Sequence, residues 1–447
     1  MTDDTIFALA SAHGRAGIAV IRVSGPQAIA VASVLSGREA FTPRYAHFAA
    51  LRDPDDGTLL DQGLVIFFPA PHSYTGEDVI ELHVHGGTAL IRRMLAVLGR
   101  QSGMRLAEAG EFTRRAFEHG RLDLIEAEGV RDLIDAETDA QRQLALRQLE
   151  GEISRQYDKW QQELINILAW LEAEIDFADE DLPDDLSRRS EDKIRDLMGR
   201  MREQLAAAEG VEMIRQGYRI ALIGRPNVGK SSLMNALARR DVAIVSDIAG
   251  TTRDVLETRL DLKGYLVDLV DTAGQHETDD PLEKIGVSRA RAAARSASLN
   301  LLIVDATQPV DRELLNSYRD ERLIVLINKT DRPDADIRAH QAILREIGIP
   351  GLCLSARTGE GIDDLMNMLE TRVVDALSAQ SSVVIRQRHR QALEAALSAL
   401  EQCLNADEIT MRAEDIRMAM RYIGSITGIV DVEEILDVVF RDFCIGK

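Results

Sequence analysis

One eight-residue string constrains this chain more than any other: Gly224-Arg-Pro-Asn-Val-Gly229-Lys230-Ser231. It fits GxxxxGK[ST], follows the apolar run Ile220–Gly224 and opens the helical pattern Ser231–Arg239. A strand, a tight loop and a helix in that order wrap backbone N–H groups around phosphate oxygens, and the helix N-terminus attracts the same anion. Lys230 adds a point charge at the β- and γ-phosphates, and the Ser231 hydroxyl is placed for Mg2+.

The surroundings extend that unit. Short β-rich runs alternate with helical patterns at Arg219–Ile223, Tyr265–Val270, Asn300–Val304, Leu323–Ile327 and Gly351–Leu354. This alternation predicts a βαβ domain with a mainly parallel sheet. Glycine and proline are scarce from about Arg121, and apolar residues recur at helical spacing through Leu133, Leu144, Ile153, Trp160, Leu164, Ile167, Leu168 and Leu171. The region before it carries strand-like runs at Gly17–Val23, Gly63–Phe68 and Asp78–His85, then a helical pattern over Thr88–Leu98. The expected organisation is an α+β domain over 1–118 and a helical domain over 119–214 and 377–447, with a Ras-like P-loop domain over 215–376 inserted in it. The fold class is thus multidomain α/β and α+β.

Four further elements narrow the nucleotide. Asp271-Thr272-Ala273-Gly274 follows a strand; Asp271 can hold Mg2+ through water, and Gly274 can present its N–H to the γ-phosphate. Asn328-Lys329-Thr330-Asp331 follows another strand, and the Asp331 carboxylate can accept both N1–H and the exocyclic amine of guanine, a pair adenine lacks. Ser355-Ala356-Arg357 is the base-contact loop that usually accompanies it. Gly250-Thr251-Thr252-Arg253 lies between the phosphate loop and Asp271, where Thr252 can supply a second hydroxyl to Mg2+. These elements predict a GTP site built from Asn227, Val228, Gly229, Lys230, Ser231 and Ser232, from Ser246, Asp247, Ile248, Ala249, Gly250, Thr251 and Thr252, from Asp271, Thr272, Ala273 and Gly274, from Asn328, Lys329 and Asp331, and from Ser355, Ala356 and Arg357. Lys230 and Asp271 carry catalytic roles. Asn227 either adds an amide oxygen to a K+ site under the Ser246–Thr251 arch or caps the turn. The hydrolytic water is oriented by Gln275 or by Glu283.

Composition excludes other classes. The 447 residues hold 53 Lys and Arg against 74 Asp and Glu, a net charge of −21, which argues against broad adhesion to nucleic acid. Aromatics are 4%, too few for stacking platforms on single strands. No run approaches the ~18 apolar residues of a membrane span. The acidic start MTDDTIFALA is unlike a secretory signal, so a cytoplasmic location with no membrane partner is expected. Cys353, Cys403 and Cys444 form no CxxC pair.

The whole chain resembles the MnmE family of bacterial tRNA-modification GTPases. The resemblance rests on GRPNVGKSS, SDIAGTTRDV, DTAG, NKTD, SARTGEG and the terminal Phe443-Cys444-Ile445-Gly446-Lys447, with IRVSG, YTGEDVIEL, HGG, GEFTRRAF, RLDLIEAEG and DLIDAET in the first half. It implies an N-terminal domain that forms a homodimer and binds 5-formyl- or methylene-tetrahydrofolate through Arg22, Glu81, Arg121 and Lys447. Members often carry Lys at the Arg121 position. It further implies K+ held by Asn227 and by the carbonyls of Ser246, Ile248 and Thr251, and Mg2+ held by Ser231 and Thr252. Glu283 matches the family's water-orienting acid. The residue after DTAG is usually apolar in the family; here it is Gln275. The implied partners are the FAD protein MnmG, in a heterotetramer-like complex, and tRNA. The implied product is a carboxymethylaminomethyl or aminomethyl group on C5 of the wobble uridine.

Other constellations are open. Cys444 is a redox thiol or an apolar anchor. His83 and His85 share a strand face as a metal pair would, with no third ligand at a recognisable spacing. Arg386, Arg388, His389 and Arg390 meet tRNA phosphates or begin a solvated helix; Arg114 and Arg115 are alike in this. Eight acids between Leu171 and Asp185 read as a solvated helix end and loop. The competing functional readings are a regulatory GTPase switch with a folate-like dimerisation domain, and a stand-alone folate enzyme with an accessory GTPase.

Overall fold

In the computed structural model, the described residues are 4–176, 186–240, 242–244, 257–271, 292, 294–378, 382–430, 436, 439, 440, 443 and 446. Its first strand, β1 (Thr5–Leu9), is buried along its whole length. β2 (Ala16–Ser24) flanks it antiparallel and β6 (Met104–Leu106) flanks it parallel. With β3 (His47–Arg52), β4 (Leu59–Phe68) and β5 (Val79–Gly86) they make a six-stranded sheet in the order β3-β4-β5-β2-β1-β6. Helices α1 (Ala28–Ser36) and α2 (Thr88–Leu98) pack on it, and α3 (Glu111–Glu118) follows. The period of two along β5 sends Ile80, Leu82 and Val84 into the core and leaves Glu81, His83 and His85 on the other face. Antiparallel register then sets Arg22 of β2 opposite Glu81 of β5.

Four helices come next: α4 (Leu124–Asp135), α5 (Asp139–Leu149), α6 (Glu152–Asp176) and α7 (Leu186–Gln216). Ile153, Tyr157, Trp160, Leu164, Ile167 and Leu171 of α6 are buried at alternating steps of four and three, the apolar stripe of a helix packed along one side.

The second sheet runs β12-β11-β10-β7-β9-β8. Its strands are β7 (Tyr218–Ile223), β8 (Glu257–Leu262), β9 (Tyr265–Asp271), β10 (Leu299–Asp305), β11 (Leu323–Asn328) and β12 (Gly351–Cys353). Every pairing is parallel except β8 on β9. Its helices are α8 (Lys230–Ala238), α9 (Arg312–Ser317), α10 (Ile337–Ile347) and α11 (Ile362–Leu377). Asp311 and Asp336 cap α9 and α10, each carboxylate accepting a backbone N–H at 3.0 Å. β11 reads LIVLIN and is buried at all six positions, as a strand covered on both faces must be. The last helices are α12 (Gln387–Asn405) and α13 (Ile409–Thr427), and α13 packs on α6.

The chain forms two compact units. One comprises 1–131, 147–194 and 394–447; the other comprises 132–146 and 195–393. In the first, Phe440 and Phe443 join Leu124, Ala127 and Leu436 in a small core. Gly446 lies so close to β1 that a Cβ on it would stand 2.1 Å from the Leu9 carbonyl oxygen.

Candidate functional site

The parallel strands of the second sheet deliver the nucleotide motifs to one edge, at their C-terminal ends, where open α/β sheets bind ligands. β7 leads into Gly224, β9 ends at Asp271, β11 ends at Asn328, and β12 leads into Ser355. Gly224 has φ +153°, and a Cβ there would meet the Ile303 carbonyl oxygen at 2.6 Å. Gly229, the N-cap of α8, has φ +105°, and its Cβ would meet Asn328 Nδ2 at 2.2 Å. Both positions admit only glycine.

Asn328 joins three segments. Its Nδ2 donates to the Val228 carbonyl at 2.8 Å, and its Oδ1 accepts the Ala356 N–H at 3.0 Å. Lys329, at φ +65°, donates through Nζ to the Asn227 carbonyl and to Asp305 Oδ2, both at 2.7 Å. Asn227 is itself left-handed, at φ +63°, a conformation Asn tolerates better than most residues. Burial works to raise the Asp305 carboxyl, but hydrogen bonds from Lys329 and Thr307 bring it below the ordinary carboxylate value. Asp331 Oδ1 accepts from Ser355 Oγ at 2.7 Å, which leads in holding that carboxyl below its usual range.

Lys230 is buried at the first turn of α8, and its Nζ donates to the carbonyls of Gly224 at 2.8 Å and Arg225 at 3.0 Å. Burial pushes its ammonium below the ordinary lysine value, and the Asp271 charge opposes the shift. Ser231 and Ser232 are exposed. The donor set suits an anion: a buried ammonium, a helix N-terminus and a loop with no room for side chains. Ser246–Thr252, Thr272–Gly274, Gln275 and Glu283 lie outside the described residues, and so do Cys444 and Lys447.

On the first sheet, Arg22 Nε and Nη2 both donate to Glu81 Oε1, at 3.1 and 2.9 Å. The guanidinium is stacked 5.1 Å from the Tyr74 ring centroid and 5.7 Å from that of Phe112. Tyr74 Oη is 2.8 Å from Thr113 Oγ1, and burial raises its phenol above the ordinary value. Two residues on, Gly76 sits where a Cβ would stand 3.3 Å from Arg121 Cγ. Tyr74 and Phe112 carry no signal of this role in the sequence. They lie inside YTGEDVIEL and GEFTRRAF, and nothing in the local pattern ties them to Arg22.

The weaker constellations acquire partners. His83 Nε2 lies 3.3 Å from Glu81, and His85 Nδ1 lies 2.9 Å from Asp61. Among the described residues no group of three His, Cys, Asp or Glu could hold a metal. Arg386 meets Asp132 at 2.6 Å and His389 is fully buried, so that basic cluster is partly internal. Arg115 is buried between Asp4, Glu77 and Glu111, as a buried cation must be. Arg114 pairs with Glu118 at 3.1 Å. No described helix is long and apolar enough to cross a membrane.

The family model described as the MnmE helical domain matches residues 124–444, and the GTP-binding protein TrmE N-terminus model matches residues 5–121. The tRNA modification GTPase MnmE of Parvibaculum lavamentivorans is 49% identical, over 99% of this chain and 100% of that protein. The chain belongs to the MnmE family. The MnmE of Rhodospirillum rubrum is 47% identical, with 100% of both chains covered. That of Paramagnetospirillum magneticum is 49% identical over 99% of this chain and 100% of its own length.

Proposed function

We propose that this MnmE-family chain hydrolyses GTP and, with the FAD protein MnmG, modifies C5 of the wobble uridine of certain tRNAs. The observation that carries the GTP reading is the junction at Asn328, which ties the phosphate loop to the two base-recognition segments. Lys230 and the N–H groups at the start of α8 bind the phosphates. Asp331 takes the guanine edge, and its depressed carboxyl stays charged at neutral pH. Ser231 and Thr252 would hold Mg2+, with Asp271 acting through water. Asn227 and the carbonyls of Ser246, Ile248 and Thr251 would hold K+. Together the cations would neutralise charge developing between the β- and γ-phosphates. The oxygen donors of these residues suit both hard cations. Glu283 would orient the water. Its replacement by Ala should abolish K+-stimulated hydrolysis while Gln275→Ala costs little; loss in the Gln275 variant alone would reverse the roles.

Arg22, Glu81, Arg121 and Lys447 would bind a 5-formyl- or methylene-tetrahydrofolate, which supplies the one-carbon bridge. Two features support this reading: Arg22 is preset by Glu81 and two rings, and Gly446, beside Lys447, packs on β1, whose Ala8 pairs with Arg22. The pairing of two chains into a homodimer and a cytoplasmic setting complete the proposal, over domains 1–118, 119–214 with 377–447, and 215–376. Equilibrium binding of 5-formyl-tetrahydrofolate tests it. Binding lost in Arg22→Ala supports the folate role; no binding to the intact chain favours a regulatory GTPase switch.

A further inference from the structure

The guanine-recognition element carries a guanidine of its own. Arg357 Nη2 lies 2.7 Å from Asp331 Oδ2, while the Arg357 side chain is 78% exposed and that of Asp331 only 10%. The other carboxylate oxygen is engaged by the Ser355 hydroxyl at 2.7 Å. Guanine offers an aspartate two N–H donors fixed to one carbon, N1–H and the 2-amino group. An arginine head offers N–H donors on one carbon in the same way. Each carboxylate oxygen can accept twice, so the Ser355 bond leaves room for a base at Oδ1. At Oδ2 the guanidinium makes an ion pair without hydrogen-bond geometry, and it neutralises the charge that the base N–H would meet.

We propose that Arg357 is an internal surrogate for guanine, a positioning residue that holds the Asp331 carboxylate aimed and must leave it when the base arrives. The inference rests on the GTP reading of this unit and adds a competitor to it. The pair is exposed on one side, so its strength is that of a surface ion pair, equivalent to about a two- to fivefold change in affinity. A conformation that must be vacated lowers apparent affinity by the fraction of time it is filled.

The test is stopped-flow binding of a fluorescent GDP to the full chain and to Arg357→Gln. The variant should bind about two- to fivefold tighter through faster association, and its advantage should shrink as salt rises, since salt weakens the pair in the parent. In an Asp331→Asn background, measured with xanthosine diphosphate, Arg357→Gln should give no gain. If Arg357 instead gripped the bound nucleotide or steered its phosphates, Arg357→Gln would weaken binding. Weakened or unchanged affinity overturns the proposal. A parent chain that binds no guanine nucleotide at all overturns the GTP reading beneath it.

Discussion

Asn328 Nδ2 donates to the carbonyl of Val228 across 100 residues of sequence, at 2.8 Å. The same side chain accepts from Ala356 N–H, so one amide holds the phosphate loop, the end of β11 and the loop after β12 together. Asn328→Ala removes both bonds, and each buried group stranded costs about 1–3 kcal/mol. Urea denaturation should show the loss of stability, and calorimetry should show GDP binding weakened more than tenfold. Full affinity in this variant would mean that the three loops are set independently.

Gly229→Ala should be worse. Its Cβ would meet Asn328 Nδ2 at 2.2 Å in a backbone at φ +105°. The clash falls on the amide that ties the loops, so nucleotide binding should be lost and the midpoint of unfolding lowered. Retention of binding would show that the loop can shift without losing its cradle.

In the proposed site the Asp331 carboxylate would accept from N1–H and the 2-amino group, whereas an amide offers one acceptor and one donor. Asp331→Asn should therefore lose GDP and gain xanthosine diphosphate, whose carbon 2 bears an oxygen. Competition of the two nucleotides for each variant checks this, and equal preference in both would remove Asp331 from base recognition.

Lys230 gives a pH signature. Burial lowers its pKa from the ordinary 10.5, so between the lowered value and 10.5 the unfolded chain binds more protons than the folded one. Stability of the nucleotide-free chain should rise with pH across that window. Lys230→Met should lack this increment in the difference between the two urea curves. Parallel curves would show that the ammonium carries no burial penalty.

The nucleotide motifs were legible because each is contiguous and sits at a strand end, where loop chemistry is read residue by residue. The mainly parallel second sheet followed from its βαβ alternation. Thr5–Leu9, His47–Arg52, Met104–Leu106 and Glu257–Leu262 were not picked out as strands. Two of them are only three and five residues long, and in β1 every residue is buried, so no alternation marks it. Long-range partnerships stayed hidden for a different reason. Arg386 reads as part of a basic cluster until tertiary packing supplies Asp132, and Arg22 reads as a lone cation until register supplies Glu81 and the loops supply Tyr74 and Phe112.

The central claim is that GTP turnover at this site serves modification of the wobble uridine. Mass spectrometry of wobble nucleosides in bulk tRNA, from cells lacking the gene and rescued with either wild type or Asp271→Ala, tests it most directly. The account predicts loss of the 5-aminomethyl-type uridines, restored by wild type and not by Asp271→Ala. Unchanged wobble uridines in the deletion would contradict it.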